Sequence, residues 1–398
     1  MKQINIDPHS GIHTFEVKRR FPTSAFCTVR EAVGKTGKLF PLDHPPNGKE
    51  HKQFSVSGCK YPGIRIRLRQ SDQWAPACNS EFHHNYLSLL VTPQGIVRHF
   101  RGQPCDPVEI FEPTLENSQL VAGYIESIYR DLGFESLFDS IKGQEVNLIP
   151  NGFESLTIAR IDYCADLSLE SDKMVKTYIK LARQGNFPAR FKPSVRYDET
   201  AHRTKPYSGQ VKYRGTTVAV LLYDKNEQLL NALKYEPGPA KGLLRFEIQA
   251  YSGKVRYLKY SRKLTNLGLL QCASEMSHYE FKEYMPQVFW SGCYLPQTSA
   301  VTVLKQAVKD GSLREKDRVL IETFMNEVDR IGGITEVFDA IESPYMRRKL
   351  RGLMDMQHIN PVRLPASTAH ELGVVSLPSI PCLLGLVADD AAKEASIA

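Results

Sequence analysis

A basic, tyrosine-rich segment at residues 251–263 carries the side chains best suited to phosphate chemistry. It contains no acidic residue, and its cations and phenols are interleaved: Tyr251, Lys254, Arg256, Tyr257, Lys259, Tyr260, Arg262 and Lys263. Lysine and arginine hold phosphate oxygens, and a phenol beside such cations ionises more easily or stacks on a base. The segment therefore predicts a tyrosine nucleophile acting on a phosphodiester, or nucleic-acid contact alone. A basic, solvated helix surface is the alternative that the pattern leaves open.

Three predicted strands, at residues 156–167, 216–225 and 242–251, carry polar side chains within apolar sequence. Because alternate strand residues share a face, each strand presents a polar set on one side. These sets are Arg160, Asp162 and Asp166; Tyr223 and Lys225; and Arg245, Glu247 and Gln249. Isolated buried charges are costly, so such side chains are expected to be paired or to bind a metal ion. The alternative is a solvent-exposed face, with Arg160 and Glu247 in surface ion pairs.

Two further stretches are basic. Residues 64–69 alternate isoleucine or leucine with Arg65, Arg67 and Arg69, which predicts a strand with one face made of arginine. Residues 183–214 contain eight lysines and arginines against two acids, and include His202 and Arg203. This composition suits a loop that follows a nucleic-acid backbone, and His202 is a candidate metal ligand or phosphate contact. Solubility is the alternative explanation for both stretches.

Overall composition is compatible with this chemistry. The chain has 398 residues, of which 42% are hydrophobic and 24% charged, which predicts a packed core. Its net charge of +7 mildly favours a polyanionic partner. The eight cysteines include no CxxC pair, which argues against a zinc ribbon, and we expect reduced thiols in the cytoplasm. The longest apolar tract, at residues 374–388, is too short for a membrane span and is interrupted by prolines.

Several enzyme signatures do not occur in the sequence. There is no GxxxxGK[ST] phosphate loop, no GxSxG nucleophile elbow, no HExxH zinc motif and no glycine-rich dinucleotide fingerprint. No two histidines are separated by a single residue, so a His-hydrophobic-His nickase signature is also missing. These patterns exclude the corresponding familiar classes and leave the tyrosine-rich basic segment as the strongest chemical feature.

The elements that must position these residues are predicted from periodicity. Strand patterns cover residues 11–21, 54–70 and 86–100, and a helix covers 120–132. A strand at 156–167, a helix that Ser171 caps and that ends near residue 184, and two further strands follow. Helical patterns then cover 300–308, 315–331 and 335–341.

These elements predict an α+β protein with an antiparallel-rich sheet, packed helices and a small helical C-terminal domain. We place the sheet domain at residues 1–290 and the helical domain at 291–365. Residues 366–398 are expected to form a flexible tail.

Four blocks, in order, carry a family resemblance. They are residues 156–162 ending in Arg-Ile-Asp, residues 197–203 with Glu-Thr-Ala-His-Arg, residues 218–225 ending in an aromatic residue and lysine, and residues 242–259 with Arg-Phe-Glu and then Arg-Tyr-Leu-Lys. A weaker likeness covers residues 54–102. The sequence thereby resembles the gene II-type replication initiators of filamentous bacteriophages and their phage and plasmid relatives, the replication protein II/X family. The resemblance covers roughly residues 50–365. It implies that the sheet domain at residues 1–290 is a nuclease core that nicks and joins DNA.

The resemblance implies nicking of one origin strand, a covalent 5′-phosphotyrosine, later rejoining and a divalent cation, Mg²⁺ or Mn²⁺. By this resemblance Tyr257 is the nucleophile, with Tyr251 and Tyr260 as alternatives, and Asp162 and Glu247 are the metal carboxylates. The expected phosphate cations at the reaction centre are Arg256, Lys259 and Lys225. The expected DNA contacts are Arg65, Arg67, Arg69, Arg160, His202, Arg203, Lys254, Arg262 and Lys263.

The expected partners are origin DNA, single-stranded or locally opened, and a host replication polymerase and helicase. We expect no membrane association and a location in the bacterial host cytoplasm. Two other functions fit the same residues. One is a non-catalytic DNA-binding replication regulator of the same fold, and the other is an RNA-binding protein.

Overall fold

The chain is an α+β protein with a large antiparallel sheet. The computed structural model describes residues 10–43, 52–70, 85–104, 106–140, 142–185, 191–198, 203–206, 209–233 and 240–386, with the backbone alone described at 195–198, 203–206 and 232–233. The sheet has 10 strands, and the pairs with a given register are antiparallel. The predicted fold class, an antiparallel-rich sheet with packed helices and a helical C-terminal part, is confirmed.

The elements up to the long central strand are β1 (Ser10–Arg20), α1 (Phe26–Gly34), β2 (Lys38–Pro41), β3 (Gln53–Ser57), β4 (Ile64–Arg69), β5 (Tyr86–Val91), α2 (Pro93–Phe100), α3 (Leu115–Asp131), β6 (Leu137–Asp139), β7 (Gln144–Val146) and β8 (Thr157–Ser168).

The elements that follow are α4 (Asp172–Gln184), β9 (Lys192–Pro193), β10 (Val195–Asp198), β11 (Arg203–Pro206), β12 (Gln210–Arg214), β13 (Val218–Asp224), α5 (Lys225–Leu233), β14 (Leu243–Tyr251), α6 (Ser252–Arg262), α7 (Asn266–Gln271), α8 (Ala273–Val288), α9 (Gln297–Lys309), α10 (Glu315–Ile331), α11 (Ile334–Ala340), α12 (Pro344–Met356), α13 (Ala366–Leu372) and α14 (Ile380–Leu383).

The chain divides into two compact units. The N-terminal unit comprises Ser10–Cys164 and Gln249–Ser277, and the C-terminal unit comprises Ala165–Ile248 and the described part of His278–Ala398. The predicted boundary at residue 290 does not coincide with this division. Strands β8 and β14 each contribute residues to both units.

In the N-terminal unit the hydrogen-bonded strand order is β2-β3-β4-β5-β1-β8. One face of this sheet is apolar: Ile66, Leu89 and Val17 lie side by side on β4, β5 and β1, and all three are fully buried. Helix α3 covers that face, since the hydroxyl of Tyr129 donates to the carbonyl oxygen of Leu87 over 3.2 Å. Each buried aliphatic side chain contributes about 1.5–3 kcal/mol of transfer free energy. Because successive side chains of a strand point to opposite faces, the polar residues that alternate with these lie on the other face of the sheet.

In the C-terminal unit the end of β8 is followed by β14, β13, β12 and β9. Every residue of β13 is buried, which is typical of a strand covered on both faces. Helix α4 packs on this sheet, and the hydroxyl of Tyr213 on β12 donates to the carbonyl oxygen of Ala182 over 2.6 Å. As predicted, Ser171 caps α4 by accepting a hydrogen bond from the N–H of Met174.

Two sequence predictions differ from the structure. Residues 93–100 form helix α2 rather than a continued strand, because Pro93 occupies the first helical turn, where its missing N–H costs nothing. Within the predicted flexible tail, residues 366–386 are structured: α13 and α14 form, and Ile380 and Leu383 are fully buried. The apolar residues there join the core instead of remaining loose. The end of that predicted tail, residues 387–398, lies outside the described residues.

Candidate functional site

Helix α6 presents two tyrosines to solvent. Val255 and Leu258 are 1% exposed and anchor the helix, whereas Tyr257 is 58% and Tyr260 88% exposed. Residues three apart in a helix are surface neighbours, so the two phenols share one side of α6. The helix ends at Lys263, whose left-handed backbone (φ 52°) stops its continuation. The predicted basic, tyrosine-bearing segment is thus an exposed helix with a rigidly packed inner side.

The cations of α6 have different environments. The buried Lys254 places its ammonium 5.5 Å from the ring centroid of Tyr257. Lys259 donates to Oδ1 of Asn266 over 2.6 Å, and Asn266 in turn donates to the carbonyl oxygens of Phe153 and Leu156. Arg256 and Lys263 are exposed, and Arg262 makes a long ion pair of 3.5 Å with Glu275. Lys254 and Lys259 are therefore held in place, whereas Arg256 and Arg262 extend toward solvent.

Tyr251 precedes α6 and has a different setting from the other two phenols. It ends β14, is partly exposed, and donates a long 3.5 Å hydrogen bond to Oε1 of Gln249. Of the three candidate tyrosines, Tyr257 is the one described with an ammonium over its ring.

Asp162 lies in mid-strand on β8 of the N-terminal unit and is 3% exposed. Its Oδ2 accepts a 2.5 Å hydrogen bond from Oγ1 of Thr14, and its Oδ1 lies 3.0 Å from Nε of Arg160. A buried carboxylate requires such partners, because an isolated one would be strongly destabilised. The structure therefore brings together Arg160 and Asp162, as their same-face spacing predicts. The alternative of a solvent-exposed acid at Asp162 is wrong.

Glu247 also lies in mid-strand, on β14 of the C-terminal unit, and is 4% exposed. Its Oε1 accepts a 2.5 Å hydrogen bond from the hydroxyl of Tyr223, which is also buried. The neighbouring Arg245 donates to both oxygens of Asp166, over 2.6 and 2.5 Å. These polar side chains are thus buried and paired rather than exposed, so the solvent-exposed alternative fails here as well. Tyr223 lies on β13, within the strand predicted at residues 216–225, and its pairing with Glu247 was not predicted.

Lys225 is buried at the first residue of α5, and its ammonium donates to Oε1 of Gln228 over 2.9 Å. An open pocket of about 330 Å³ in the same unit is lined by Gly209, Gln210, Tyr223, Asp224, Glu227, Gln228 and Asn231. Burial raises the pKa of the Asp224 carboxyl above its usual range, although the carboxyl also accepts from the N–H of Glu227. The pocket thus places the Glu247 partner Tyr223 beside a polar opening.

Within the described ranges, no group of three or more histidine, cysteine, aspartate or glutamate side chains could hold a metal ion. Asp162 and Glu247, the two carboxylates that the sequence predicts as metal ligands, lie in different units. Mg²⁺ commonly uses one or two protein carboxylates and takes its other ligands from water and phosphate. A carboxylate has about four lone-pair sites, so it can accept a hydrogen bond and bind a cation at the same time. The donor chemistry of both residues fits Mg²⁺ or Mn²⁺.

The predicted arginine strand is β4, with Ile64, Ile66 and Leu68 buried and Arg65, Arg67 and Arg69 exposed. Among the residues that the structure describes, no carboxylate lies within ion-pair distance of these three arginines. An open groove of about 580 Å³ borders Arg65 and Arg67, and the exposed Phe40 and Leu42 also line it. A cationic strand beside exposed apolar side chains suits a phosphate backbone with unpaired bases.

Strand pairing adds residues that sequence reasoning missed. Tyr86 of β5 lies opposite both Arg69 of β4 and Arg20 of β1. Lys18 of β1 lies opposite Ser88, the next residue on the same face of β5. The Lys18 ammonium and the Arg69 guanidinium lie 5.5 and 5.9 Å from the Tyr86 ring centroid. We call Arg65, Arg67, Arg69, Tyr86, Lys18 and Arg20 the arginine face. Alternation along β1 predicts that Lys18 and Arg20 share a face. That this face continues onto β4 follows only from the pairing of β5 with both β1 and β4.

Two predicted DNA contacts come from the basic stretch at 183–214. His202 lies outside the described residues, and Arg203 begins strand β11, where it pairs with Asp198 through the backbone. The described parts of this stretch form β9 to β12 rather than a continuous loop. In the described chain, no helix combines the length and the apolar character that a membrane crossing requires.

Comparison with known proteins gives a likeness to solved structures alone. No family model and no curated protein matches the sequence. Among solved structures, the chain is similar to a rolling circle replication initiator protein from Geobacillus stearothermophilus, at 12% identity and a TM-score of 0.31. The similarity covers 70% of this chain and 85% of the other. These values are too low to assign a family or a function.

Proposed function

We propose that the chain is a rolling-circle replication initiator of the gene II type, which nicks one strand of origin DNA with Tyr257. The observation that carries this proposal is helix α6: an exposed phenol with a buried ammonium at its ring, in an acid-free basic helix of the same unit as the arginine face. A tyrosine nucleophile on a phosphodiester needs an accessible phenol and nearby cations. Tyr257 combines both features, whereas Tyr260 and Tyr251 are alternative nucleophiles.

In the proposed reaction the hydroxyl oxygen of Tyr257 attacks the scissile phosphorus. The bond from phosphorus to the 3′ oxygen breaks, a phosphotyrosine bond to the 5′ end forms, and the phenol proton ends on the departing 3′ oxygen. Arg256, Lys259 and Lys225 are proposed to neutralise phosphate charge. Rejoining is the same exchange in reverse, so no external energy source is required.

Asp162 and Glu247 are each proposed to supply carboxylate oxygen to Mg²⁺ or Mn²⁺. When bound, the ion would polarise the scissile phosphate. Thr14 and Arg160 orient Asp162, and Tyr223 orients Glu247, so that each acid has a fixed direction. Such support from neighbouring side chains is typical of metal carboxylates.

The arginine face, with Arg160, Lys254, Arg262, Lys263, His202 and Arg203, is proposed to hold the DNA strand. The released 3′ hydroxyl would then prime a host polymerase, while a host helicase opens the duplex in the bacterial cytoplasm. Nicking on a single strand requires that the substrate be single-stranded or locally opened.

The decisive experiment is formation of a covalent protein–DNA adduct. The purified chain is incubated with Mg²⁺ and a labelled single-stranded oligonucleotide from the element's own intergenic region, and the products are separated under denaturing conditions. We expect a labelled species at the mass of the protein plus the fragment downstream of the nick, joined through its 5′ phosphate, and a free 3′ hydroxyl on the upstream fragment. Absence of any adduct across the whole intergenic region would contradict the proposal.

A non-catalytic DNA-binding regulator is the second candidate, because the buried pairs of Asp162 with Arg160 and Asp166 with Arg245 also satisfy a purely structural role. It predicts salt-dependent DNA binding without an adduct. An RNA-binding protein predicts instead that a single-stranded RNA competes better than DNA of the same sequence.

A further inference from the structure

Helices α10, α11 and α12 of the C-terminal unit pack together. Helix α10 packs against both α11 and α12, and three residues, 341–343, separate α11 from α12. The side chain of Ser343 accepts from the N–H of Met346 over 3.3 Å, and Pro344 begins α12 without an N–H to satisfy. Helices α11 and α12 are therefore joined by a short turn, and each packs on the long helix α10.

The inner side of α12 is fixed by several contacts. Leu350 and Met354, four residues apart, are buried. The ammonium of Lys349 forms a 2.6 Å ion pair with Asp317 of α10, and Nε of Arg347 donates to the carbonyl oxygen of Ile341 over 2.6 Å. These contacts use two of the four cations of α12 to hold the helix in place.

The outer side of α12 consists of Tyr345, Arg348, Arg351 and Gly352, and all four are exposed, with Tyr345 at 65%. The guanidinium of Arg351 lies 3.8 Å from the carboxylate of Asp355. A Cβ added to Gly352 would meet nothing within 4 Å, so no protein neighbour requires glycine there. Glycine weakens a helix interior, and it allows another molecule to approach the helix backbone closely.

We infer that α12 is a recognition helix that binds duplex DNA in the major groove through its outer side. A helix with its side chains is about 10–12 Å wide, and the major groove is about 12 Å wide. Arginine donates to guanine edges or to phosphates, which suits Arg348 and Arg351, and Gly352 permits close approach to the groove. Charge complementarity selects the occupant, since α12 carries four cations against the single acid Asp355.

The occupant is duplex DNA rather than duplex RNA. The major groove of A-form RNA is deep and narrow, so a helix cannot enter it. The outer side of α12 would contact paired bases, whereas the proposed reaction of Tyr257 needs an unpaired strand. The two regions therefore bind different forms of DNA. The inference rests on the proposed function only for the choice of origin DNA as the ligand.

The test uses the full chain carrying Tyr257→Phe, so that binding is measured without cleavage. A labelled duplex from the intergenic region is titrated by fluorescence anisotropy at several salt concentrations. We expect Arg348→Gln with Arg351→Gln to weaken duplex binding by about 10- to 100-fold and to flatten the slope of log affinity against log salt by about 1–2. The matched control, Lys305→Gln with Lys309→Gln on the exposed side of α9, removes the same charge from the same unit and should change affinity less than about twofold.

A second variant separates position from charge. Gly352→Leu leaves the net charge unchanged and adds bulk to the outer side, where the protein has open space. We expect unchanged helix content by circular dichroism and at least about a tenfold loss of duplex affinity. Equal losses in the two double variants, full duplex affinity of Gly352→Leu, or tighter binding of an RNA duplex than a DNA duplex would each overturn the inference. Adduct formation on single-stranded oligonucleotides tests the proposed function separately, so either can fail without the other.

Discussion

The hydroxyl of Tyr223 donates a 2.5 Å hydrogen bond to Oε1 of Glu247, and both side chains are almost fully buried within the C-terminal unit. The bond helps to fix the direction of this carboxylate on β14. If Glu247 binds a divalent cation, Tyr223 is its positioning residue. If Glu247 is structural only, the same bond contributes stability and nothing else.

Tyr223→Phe distinguishes these two roles. Loss of the hydroxyl leaves one buried oxygen of Glu247 without this donor, and we expect the free energy of unfolding to fall by about 1–3 kcal/mol. We also expect a higher Mg²⁺ concentration for half-maximal adduct formation. Tyr213→Phe is the matched control, because it removes another buried phenol hydrogen bond of the same unit. A Mg²⁺ requirement that changes equally in both variants would assign Tyr223 a structural role.

Tyr257→Phe should abolish adduct formation while changing DNA affinity less than about twofold. The phenol oxygen is the proposed nucleophile, whereas the ring and the surrounding cations provide binding. Tyr260→Phe and Tyr251→Phe are the matched controls and should retain adduct formation. If Tyr257→Phe forms the adduct at the wild-type rate and one of the other variants does not, the nucleophile is that other tyrosine.

Asp162→Asn and Glu247→Gln should each weaken the apparent affinity for Mg²⁺, because an amide oxygen is a poorer ligand than a carboxylate for a hard cation. The measurement is a Mg²⁺ titration of adduct formation, together with a denaturant titration. Asp162→Asn also leaves Arg160 without its carboxylate, so part of its effect will be on stability. Unchanged Mg²⁺ titrations in both variants would leave both acids with structural roles alone.

Replacing Arg65, Arg67 and Arg69 together by glutamine should flatten the salt dependence of DNA binding. Each phosphate contact contributes a slope of about −0.7 on single strands or −0.9 on duplex, so up to about 2–3 should be lost. Lys18→Gln with Arg20→Gln should remove up to a further 1–2 on the same argument. The strand should persist, because Ile64, Ile66 and Leu68 provide its buried side. An unchanged slope in the triple variant would place the DNA elsewhere.

Asp224→Asn should increase stability near neutral pH. Burial raises the pKa of the Asp224 carboxyl, so the folded wild-type protein is stabilised below the unfolded pKa of about 3.9 and loses that stability as pH rises through the folded pKa. Asparagine keeps an oxygen to accept from the N–H of Glu227 and carries no charge to bury. The difference in the free energy of unfolding between variant and wild type should grow from about pH 4 to 7. Urea titrations that show a constant difference would contradict this assignment.

The spacing of apolar residues along the sequence predicted the long helices and strands well. Strand β8, helix α4 with its Ser171 cap, and helices α9 to α11 lie close to the predicted positions, because each combines clear periodicity with a clear start or stop. Helices α2 and α12 were missed, because residues 93–100 were assigned to a continuing strand and Pro344 was interpreted as a break, although proline is well tolerated in the first helical turn. Local pattern alone does not distinguish a proline that ends one element from a proline that begins the next.

The candidate site was predictable in part. Alternation alone places Arg160 with Asp162 on one face and Arg65, Arg67 and Arg69 on another. The partners across strands could not be predicted, because β1, β5 and β4 are separated by long connections and their order depends on the whole sheet. Tyr86, Thr14 and Tyr223 therefore became visible only in the folded chain. The assignments of Tyr257, Asp162 and Glu247 to chemistry stay predictions.

The paired charges of Arg245 and Asp166 have a consequence for how the chain folds. The two residues are 79 positions apart, on strands β14 and β8, and the Arg245 side chain is fully buried. Successive side chains on a strand point in opposite directions, so a slip of β14 by one residue against β8 would turn the guanidinium away from its carboxylate. Two separated buried charges would then cost about 3–5 kcal/mol, a penalty that an all-aliphatic pair of strands would not impose. The pair therefore selects one alignment of two distant segments, and replacing both residues by leucine should yield a sheet that tolerates misaligned, aggregation-prone intermediates during refolding.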